Sequence, residues 1–293
     1  MKVVLSKSPD FVRSTNLRLK ELSSFNLPTF INKLRRIVDY LTNKKILRFD
    51  DGVEHDKKFI ALMKKYRLSG TFNISAGLFG TKHSLAHINH IPKDEIRQVY
   101  EGFEVASHGY RHEMYRYMSG KKIIRSLEAD IRKLSEVIGY PVSGHAYPYD
   151  MRTRTAEDYL RKNNLLYTRK ALGKKAKFYF PADPLSYIAT AAFNAKNIME
   201  LLDDFIKATP ENDNLLFMMW GHSWEMEYGF RKCPEAEVER IFDKIAGHPD
   251  IVYCTSKEAF SINYLISNTD RNTNSLAPPR KISTVISPAS MSK

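Results

Sequence analysis

The sequence is poor in cysteine and contains no long apolar run. Its 293 residues include only Cys233 and Cys254, so no disulfide framework is predicted. No apolar stretch approaches the roughly 18 to 20 residues of a transmembrane helix, and we predict no membrane-spanning segment. Charged residues interrupt every apolar run of the first twenty positions, and no leader-type cleavage site follows them. We therefore expect a cytoplasmic protein.

Acidic residues are outnumbered by basic ones, 33 against 46, which gives a net charge of +13. Residues 1–45 contribute +7 of this excess, because they contain ten Lys or Arg and three acids. A basic surface can attract nucleic acid, an anionic membrane or an acidic substrate. No zinc-finger, RNP-type or helix-turn-helix signature accompanies the charge, so we predict no nucleic-acid partner. Peripheral membrane contact stays open, and the oligomeric state is not indicated.

From about residue 45, short β-rich runs alternate with segments of helical period. The predicted strands are Lys45–Phe49, Thr71–Ser75, Phe103–Ser107, Val142–Tyr147, Leu165–Thr168, Tyr187–Thr190, Leu215–Trp220 and Ile251–Thr255. Such alternation favours a parallel sheet covered by helices, and seven or eight units fit a TIM-like (β/α) barrel. An open doubly wound sheet is the alternative.

Two helical stripes and two atypical ends complete this organisation. One stripe consists of Ile124, Leu127, Ile131, Leu134 and Ile138, and the other of Val238, Ile241, Phe242 and Ile245. Residues 1–44 are expected to be a basic extension that packs on the barrel, with a helix at Phe30–Leu41. Residues 45–266 would form the barrel. Residues 267–293 are polar and are predicted to be a poorly ordered tail.

Two pairs of metal-binding side chains follow predicted strands. Asp50 and Asp51 come directly after one strand, and His108 and His112 follow another, 58 residues later (50 to 108). The carboxyl ends of parallel barrel strands meet at one rim, so the fold would bring these side chains together. Carboxylate and imidazole groups suit zinc or a similar divalent ion. Three protein ligands leave a position for water, and one aspartate would remain as a base, which is typical of a hydrolase.

Two later segments also end strands. Ala146, Tyr147, Pro148 and Tyr149 follow one of them, and Trp220–Glu225, which contains His222, follows the other. The aromatic side chains here are candidate platforms for sugar rings, although core packing is an equally good interpretation for Trp220. Nearby, His83, His87 and His90 are interpreted as part of a loop, since no carboxylate accompanies them in the local pattern.

The order of these segments resembles the polysaccharide deacetylases, carbohydrate esterase family four. Arg48–Gly52 matches four of the five residues of the first family motif, Thr-Phe-Asp-Asp-Gly. His108 and His112 match the second, His-[Ser/Thr]-x-x-His, with Gly109 at the hydroxyl position. Ala146–Tyr149 aligns with the third, Arg-x-Pro-Tyr, and Leu216–His222 aligns with the fifth, a hydrophobic run that ends in histidine. The resemblance covers roughly residues 45–262.

This resemblance implies a distorted α/β barrel and metal-dependent removal of an N-acetyl or O-acetyl group from a glycan or a sugar precursor. Asp51, His108 and His112 would hold the metal, most simply zinc, with cobalt, nickel or manganese as alternatives. Asp50 would be the general base. The backbone N–H of Tyr149 would stabilise the oxyanion, and His222 would be the general acid. Candidate substrate residues are Arg48, Tyr147, Trp220, Trp224 and Glu225.

The sequence departs from the family pattern at two points. Ala146 replaces the arginine that orients the base in the family, and strand alternation suggests that Arg48 could take its place. The fourth motif, Asp-x-x-Asp-Trp, has no clear counterpart, so Asp183 or Glu225 would have to orient His222. Two alternatives therefore stay open: a hydrolase of another C–N bond, as in cyclic amides or ureides, and a catalytically silent carbohydrate-binding relative.

Overall fold

The computed structural model describes residues 43–84, 87–171, 178–208, 215–249 and 251–261. Almost all of the basic extension, including the helix predicted at Phe30–Leu41, lies outside the described residues. The polar tail predicted at 267–293 lies outside them as well. The structural account therefore concerns the predicted barrel.

All of the predicted strands are present in the described part of the chain. The strands are β1 (Asn43–Asp51), β2 (Gly70–Ile74), β3 (Glu104–Ser107), β4 (Gly144–Ala146), β5 (Tyr167–Lys170), β6 (Tyr187–Ile188), β7 (Ala191–Ala192), β8 (Leu215–His222) and β9 (Ile251–Tyr253). The segment predicted as a strand at Tyr187–Thr190 contains β6, and β7 begins directly after it. Three strands extend beyond their predicted ends, β1 to Asp51, β5 to Lys170 and β8 to His222, and each extension carries residues that matter below.

The strands form one parallel sheet that curves into a distorted barrel. Their order is β6-β5-β4-β3-β2-β1-β8-β7, and β9 pairs with the first residues of β1. The two edge strands, β6 and β7, are consecutive in the chain. In the link between them, the backbone N–H of Ala189 donates to the carbonyl oxygen of Lys170 on β5. The backbone N–H of Thr190 donates to the carbonyl oxygen of Met218 on β8. The α/β barrel predicted from the sequence is therefore confirmed.

Helices cover the outside of this sheet. They are α1 (His55–Lys65), α2 (Ile96–Val99), α3 (Gly120–Ile138), α4 (Arg154–Lys162), α5 (Ile198–Lys207) and α6 (Glu235–Ile245). The stripe predicted on α6 is fully buried. None of the described helices is long and apolar enough to cross a lipid bilayer.

The stripe predicted on α3 needs one correction. Ile124 is 36% exposed, whereas its neighbour Ile123 is 3% exposed and packs with Tyr115 and Leu127. The helical period is as predicted, but the inward face starts one residue earlier. That face also buries Asp130, a polar residue that hydrophobic periodicity cannot identify.

The barrel interior is partly polar, which is what positions the site. Ile46 and Met218 belong to an apolar cluster that includes Tyr167 and Phe260. By strand alternation, the residues of β1 that share the inward face of Ile46 are Arg48 and Asp50, and both are buried. A buried charge is costly unless it is paired, so the charged groups near the C-terminal end of β1 require hydrogen-bond or ion-pair partners.

Candidate metal centre and active site

The Asp-Asp-Gly motif ends β1 in a sharp turn. Asp51 has a φ of 83° and Gly52 a φ of 73°, both in the left-handed region. A Cβ atom on Gly52 would lie 2.5 Å from Cγ2 of Ile74, so only glycine fits there. An aspartate in this conformation costs about 1–3 kcal/mol, and such strain is concentrated at functional sites. The turn separates the two carboxylates, so that Asp50 and Asp51 have different neighbours.

Asp51 lies against the two histidines that follow β3. Its Oδ1 atom is 3.9 Å from Nε2 of His108 and 3.7 Å from Nε2 of His112. Candidate ligand atoms of these three residues all lie within 4.8 Å of one another. Ligands about 2.1 Å from a tetrahedral zinc ion would be about 3.4 Å apart. The two Asp51–histidine separations exceed that value by about 0.3 and 0.5 Å, so the donor set suits a divalent ion once the ligand atoms move closer together.

His108 is oriented as a metal ligand requires. Its Nδ1 lies 2.9 Å from the carbonyl oxygen of Ala146, which can only accept a hydrogen bond. Nδ1 must therefore carry the hydrogen, which leaves the Nε2 lone pair directed toward Asp51. Burial lowers the pKa of His108 to about 4, so the ring is neutral at neutral pH. A neutral imidazole is the form that binds a metal.

The loop between the two histidines explains why the sequence has Gly109 in place of a hydroxyl residue. Gly109 has a φ of 76°, and a Cβ atom there would lie 2.8 Å from the hydroxyl oxygen of Tyr115. The turn brings the ring of His112 to 4.7 Å from the ring of His108, measured between centroids. His112 itself has a positive φ of 53°. The departure from the family motif is therefore a consequence of this local turn.

Asp50 is held by a guanidinium group that the sequence did not point to. Its Oδ2 atom forms a buried ion pair with Nη2 of Arg169, on β5, and its Oδ1 accepts a 2.7 Å hydrogen bond from Nδ2 of Asn73. Burial acts to raise the pKa of Asp50, but the charges of Arg169, His108 and His222 lower it and together outweigh the effect of burial. The resulting pKa is about 2. Asp50 is thus a buried, ionised carboxylate with both oxygens oriented.

Arg169 takes the place that the missing family arginine leaves empty. Ala146 on β4 and Arg169 on β5 are paired residues across the parallel ladder. Neighbouring strands lie about 4.8 Å apart, so an arginine at either position could extend toward Asp50. Arg48 lies on the same inward face as Asp50, as strand alternation indicated, and its role in orienting the base stays a prediction. Arg48 donates to Oδ1 of Asn73 at 2.5 Å and reaches Asp50 only through that amide.

His222 ends β8 beside both aspartates. It is paired with Asp50 across β1 and β8, and its Nε2 lies 3.9 Å from Oδ2 of Asp51. Its Nδ1 lies 3.5 Å from Oε2 of Glu225, an ion-pair distance, and the same oxygen accepts the backbone N–H of His222 at 3.0 Å. Burial acts to lower the pKa of His222, but the carboxylates of Asp51 and Glu225 raise it to about 9.

Glu225, and not Asp183, is therefore the carboxylate that faces His222. Asp183 instead forms an ion pair with Arg161 at 2.6 Å. Glu225 was predicted both as a substrate residue and as one of two candidates to orient His222, and the structure places its carboxylate against the imidazole and the backbone of His222.

The predicted aromatic platforms lie in different environments. Tyr147 is 2% exposed and packs in the cluster of Tyr115 and Leu127, so its ring cannot stack on a sugar. Tyr149 is 53% exposed and has a φ of 52°, with its ring 4.4 Å from that of His112.

The two tryptophans also differ in their surroundings. Trp220 is partly buried, and the guanidinium carbon of Arg169 lies 5.3 Å from the centre of its ring. The ring of Trp224 stacks on His222 at 4.8 Å, and its Nε1 donates to Oδ2 of Asp51 at 2.9 Å. Trp224 thus contacts the candidate metal ligand itself.

Sequence reasoning missed three residues that contact the two aspartates: Arg169, Asn73 and His83. Nε2 of His83 lies 3.4 Å from Oδ2 of Asp51. The partners lie 23 to 119 residues apart along the chain, so no local motif connects them. For Asn73 the available signal was an amide residue within a predicted strand, since such residues are rarely buried without a partner. Arg169 lies one residue beyond its predicted strand, so the same signal did not apply to it.

Comparison with known proteins agrees with the resemblance seen in the sequence. Residues 41–168 match the family model described as polysaccharide deacetylase. This segment includes the Asp-Asp-Gly turn, His108, His112 and the Pro-Tyr motif, and it ends before His222. No curated protein sequence matches the chain.

Similar solved structures were also found, and the one with a TM-score above 0.5 supports the fold. A candidate polysaccharide deacetylase from Mycobacterium smegmatis is 16% identical with a TM-score of 0.57, over 78% of this chain and 92% of that one. The peptidoglycan deacetylase PdaC from Bacillus subtilis is 15% identical with a TM-score of 0.49, over 82% and 100%. An acetyl xylan esterase of family four from Clostridium thermocellum, in complex with a cobalt ion, is 14% identical with a TM-score of 0.47, over 75% and 91%.

Proposed function

We propose that this chain, whose residues 41–168 match the polysaccharide deacetylase family, is a metal-dependent hydrolase of an acetyl group on a glycan or sugar conjugate. The observation that carries the proposal is the arrangement of two aspartates with distinct surroundings. Asp51 lies against His108 and His112, while Asp50 is paired with Arg169. One carboxylate is thus suited to bind a metal and the other to act as a base.

Asp51, His108 and His112 would hold the ion, with zinc as the first expectation from the donor types. When bound, a divalent ion supplies Lewis-acid chemistry: it polarises the acetyl carbonyl and lowers the pKa of a water molecule. Asp50 accepts a proton from the attacking water through its carboxylate. Asn73 and Arg169 fix the orientation of that carboxylate, which limits the reorganisation needed during the reaction.

The leaving group requires an acid, because an amine does not leave as an anion. The Nε2 atom of His222 lies 3.9 Å from Oδ2 of Asp51, and its Nδ1 lies 3.5 Å from Oε2 of Glu225. A protonated His222 donates its Nε2 proton to the sugar nitrogen as the C–N bond breaks. Acetate and a free amine result, and the exposed backbone turn at Tyr149 provides a candidate N–H donor to the oxyanion.

A catalytically silent relative is the less favoured interpretation. Its support in the sequence was the absence of the family arginine at Ala146 and of the fourth motif. Arg169 supplies a guanidinium group to Asp50, and Glu225 supplies a carboxylate to His222. Both departures are therefore compensated within the described residues. The cytoplasmic location expected from the sequence stays a prediction.

The direct experiment is product formation from a panel of substrates, measured as acetate release from the acetylated compounds and as ring opening of the cyclic amides. Purified protein would be incubated with N-acetylglucosamine oligomers, O-acetylated xylan fragments and small cyclic amides, each with and without added zinc or cobalt after removal of metal by a chelator. We expect metal-dependent acetate release from an acetylated glycan. Hydrolysis of the cyclic amides alone would indicate the other C–N hydrolase, and bound metal with no product from any substrate would support the silent relative.

A further inference from the structure

The two carboxylate oxygens of Asp51 have separate sets of neighbours. Oδ1 faces His108 and His112, at 3.9 and 3.7 Å. Oδ2 accepts a 2.9 Å hydrogen bond from Nε1 of Trp224 and lies 3.4 Å from Nε2 of His83. The side chain of Asp51 is 7% exposed, so water contributes little to its solvation. The protein thus approaches Oδ2 with N–H groups and keeps Oδ1 toward the ligand histidines.

His83 reaches this position on a short hairpin that lies outside all of the family motifs quoted above. Lys82 and Asn89 form an antiparallel bridge, and the backbone N–H of His83 donates to the carbonyl oxygen of Ile88 at 2.9 Å. Val53, two residues after Asp51, bridges to His90 in the same hairpin. The hairpin is therefore attached to the turn that carries the metal ligand, and the side chain of His83 is only 11% exposed.

His83 is not suited to join the ligand set itself. The group whose ligand atoms all lie within 4.8 Å of one another comprises Asp51, His108 and His112, without His83. His83 instead approaches the other oxygen, on the side of Trp224, where the two rings are 5.9 Å apart between centroids. Its 3.4 Å separation from Oδ2 is slightly longer than the usual N–H···O distance of about 2.7–3.2 Å.

We propose that His83 and Trp224 are positioning residues that hold Oδ2 of Asp51, so that the aspartate binds the metal through Oδ1 alone. This inference rests on the proposed function. N–H donors on one oxygen orient the carboxylate and oppose a bidentate mode. Hydrogen-bond partners of metal ligands typically change metal affinity by about 10- to 100-fold when they are removed. The metal affinity of this chain therefore depends on two residues that do not touch the metal.

The test is zinc affinity, measured in chelator competition on protein that carries no substrate. His83→Leu removes the imidazole, His83→Gln keeps an N–H donor, and Trp224→Phe keeps the ring but removes Nε1–H. His87→Leu is the matched control, because His87 is an exposed histidine of the same hairpin. Thermal unfolding in excess chelator would establish that each variant folds as the wild type does.

We expect zinc binding to weaken about 10- to 100-fold in His83→Leu and in Trp224→Phe, less in His83→Gln, and not in His87→Leu. A contrary outcome would be that the wild type binds zinc, Asp51→Asn does not, and His83→Leu and Trp224→Phe bind zinc within about twofold of the wild-type affinity. The role of His83 and Trp224 would then be overturned and the proposed function would stand. A wild type that binds no zinc, cobalt, nickel or manganese would overturn both.

Discussion

The buried ion pair between Arg169 and Asp50 can be removed without touching any candidate metal ligand. Arg169→Met keeps a long apolar side chain but leaves a carboxylate that is 4% exposed without its cation. Breaking a buried pair in this way costs about 3–5 kcal/mol of folding stability. A hydrogen bond to a charged group contributes about 1.5–3 kcal/mol. If the hydrogen bond from Arg169 no longer orients Asp50 in the transition state, kcat should fall about 10- to 150-fold.

The assay combines acetate release with metal content. Arg169→Met should lower kcat, raise the pKa of Asp50 and retain bound zinc, because Arg169 does not contact the three proposed ligands. Arg48→Met is the matched control. Arg48 is equally buried and lies on the same inward face, but it reaches Asp50 only through Asn73. Its effect on kcat should be smaller than that of Arg169→Met, although both lose stability.

A second-site variant separates the role in catalysis from the role in folding. Ala146 is the ladder partner of Arg169, so Ala146→Arg combined with Arg169→Ala would return the arginine to its family position. We expect the double variant to regain part of the activity that Arg169→Ala loses. Unchanged turnover in a folded, zinc-loaded Arg169→Met protein would refute the assignment of Arg169 to Asp50.

Two further predictions concern carboxyl groups near the site. Glu225→Gln should lower kcat on an N-acetyl substrate about tenfold while leaving the hydrolysis of p-nitrophenyl acetate almost unchanged, since a nitrophenolate needs no acid; equal losses on both would contradict the role of Glu225 behind His222. Asp56 accepts hydrogen bonds from Tyr100 (2.6 Å) and Ser223 (2.5 Å), and burial raises its pKa to about 7. The folded state then holds this proton more tightly than the unfolded state, so the contribution of Asp56 to stability is full below about pH 4 and is lost as the pH rises to about 7. Urea unfolding should show the wild type losing about 2–3 kcal/mol relative to Asp56→Asn between pH 5 and pH 7.5, and a difference that does not change with pH would contradict this.

The parts of the site that lie at strand ends could be predicted from the sequence. Apolar runs and turn residues located the ends of β1, β3 and β8, and parallel strands end at a common rim. This reasoning placed Asp50, Asp51, His108 and His222 near one another although 172 residues separate the first from the last.

The groups that hold those residues could not be predicted in the same way. Arg169 contacts Asp50 because of the register between β4 and β5, and β5 was predicted to end one residue before it. His83 contacts Asp51 because a hairpin folds back over the turn after β1, and its local sequence contains no carboxylate. The sequence could not show whether Ile123 or Ile124 starts the buried face of α3, since both residues are isoleucine. Register and loop conformation depend on the whole fold, which local patterns do not encode.

The two adjacent aspartates are proposed to have different roles, and a paired substitution distinguishes them. Asp50→Asn and Asp51→Asn would be compared with the wild type for bound zinc and for acetate release from the same acetylated substrate. We predict that Asp50→Asn retains zinc and releases almost no acetate, whereas Asp51→Asn loses zinc and activity together. Loss of zinc in Asp50→Asn with retention in Asp51→Asn would mean that Asp50 is the ligand and Asp51 the base, the reverse of the proposed roles.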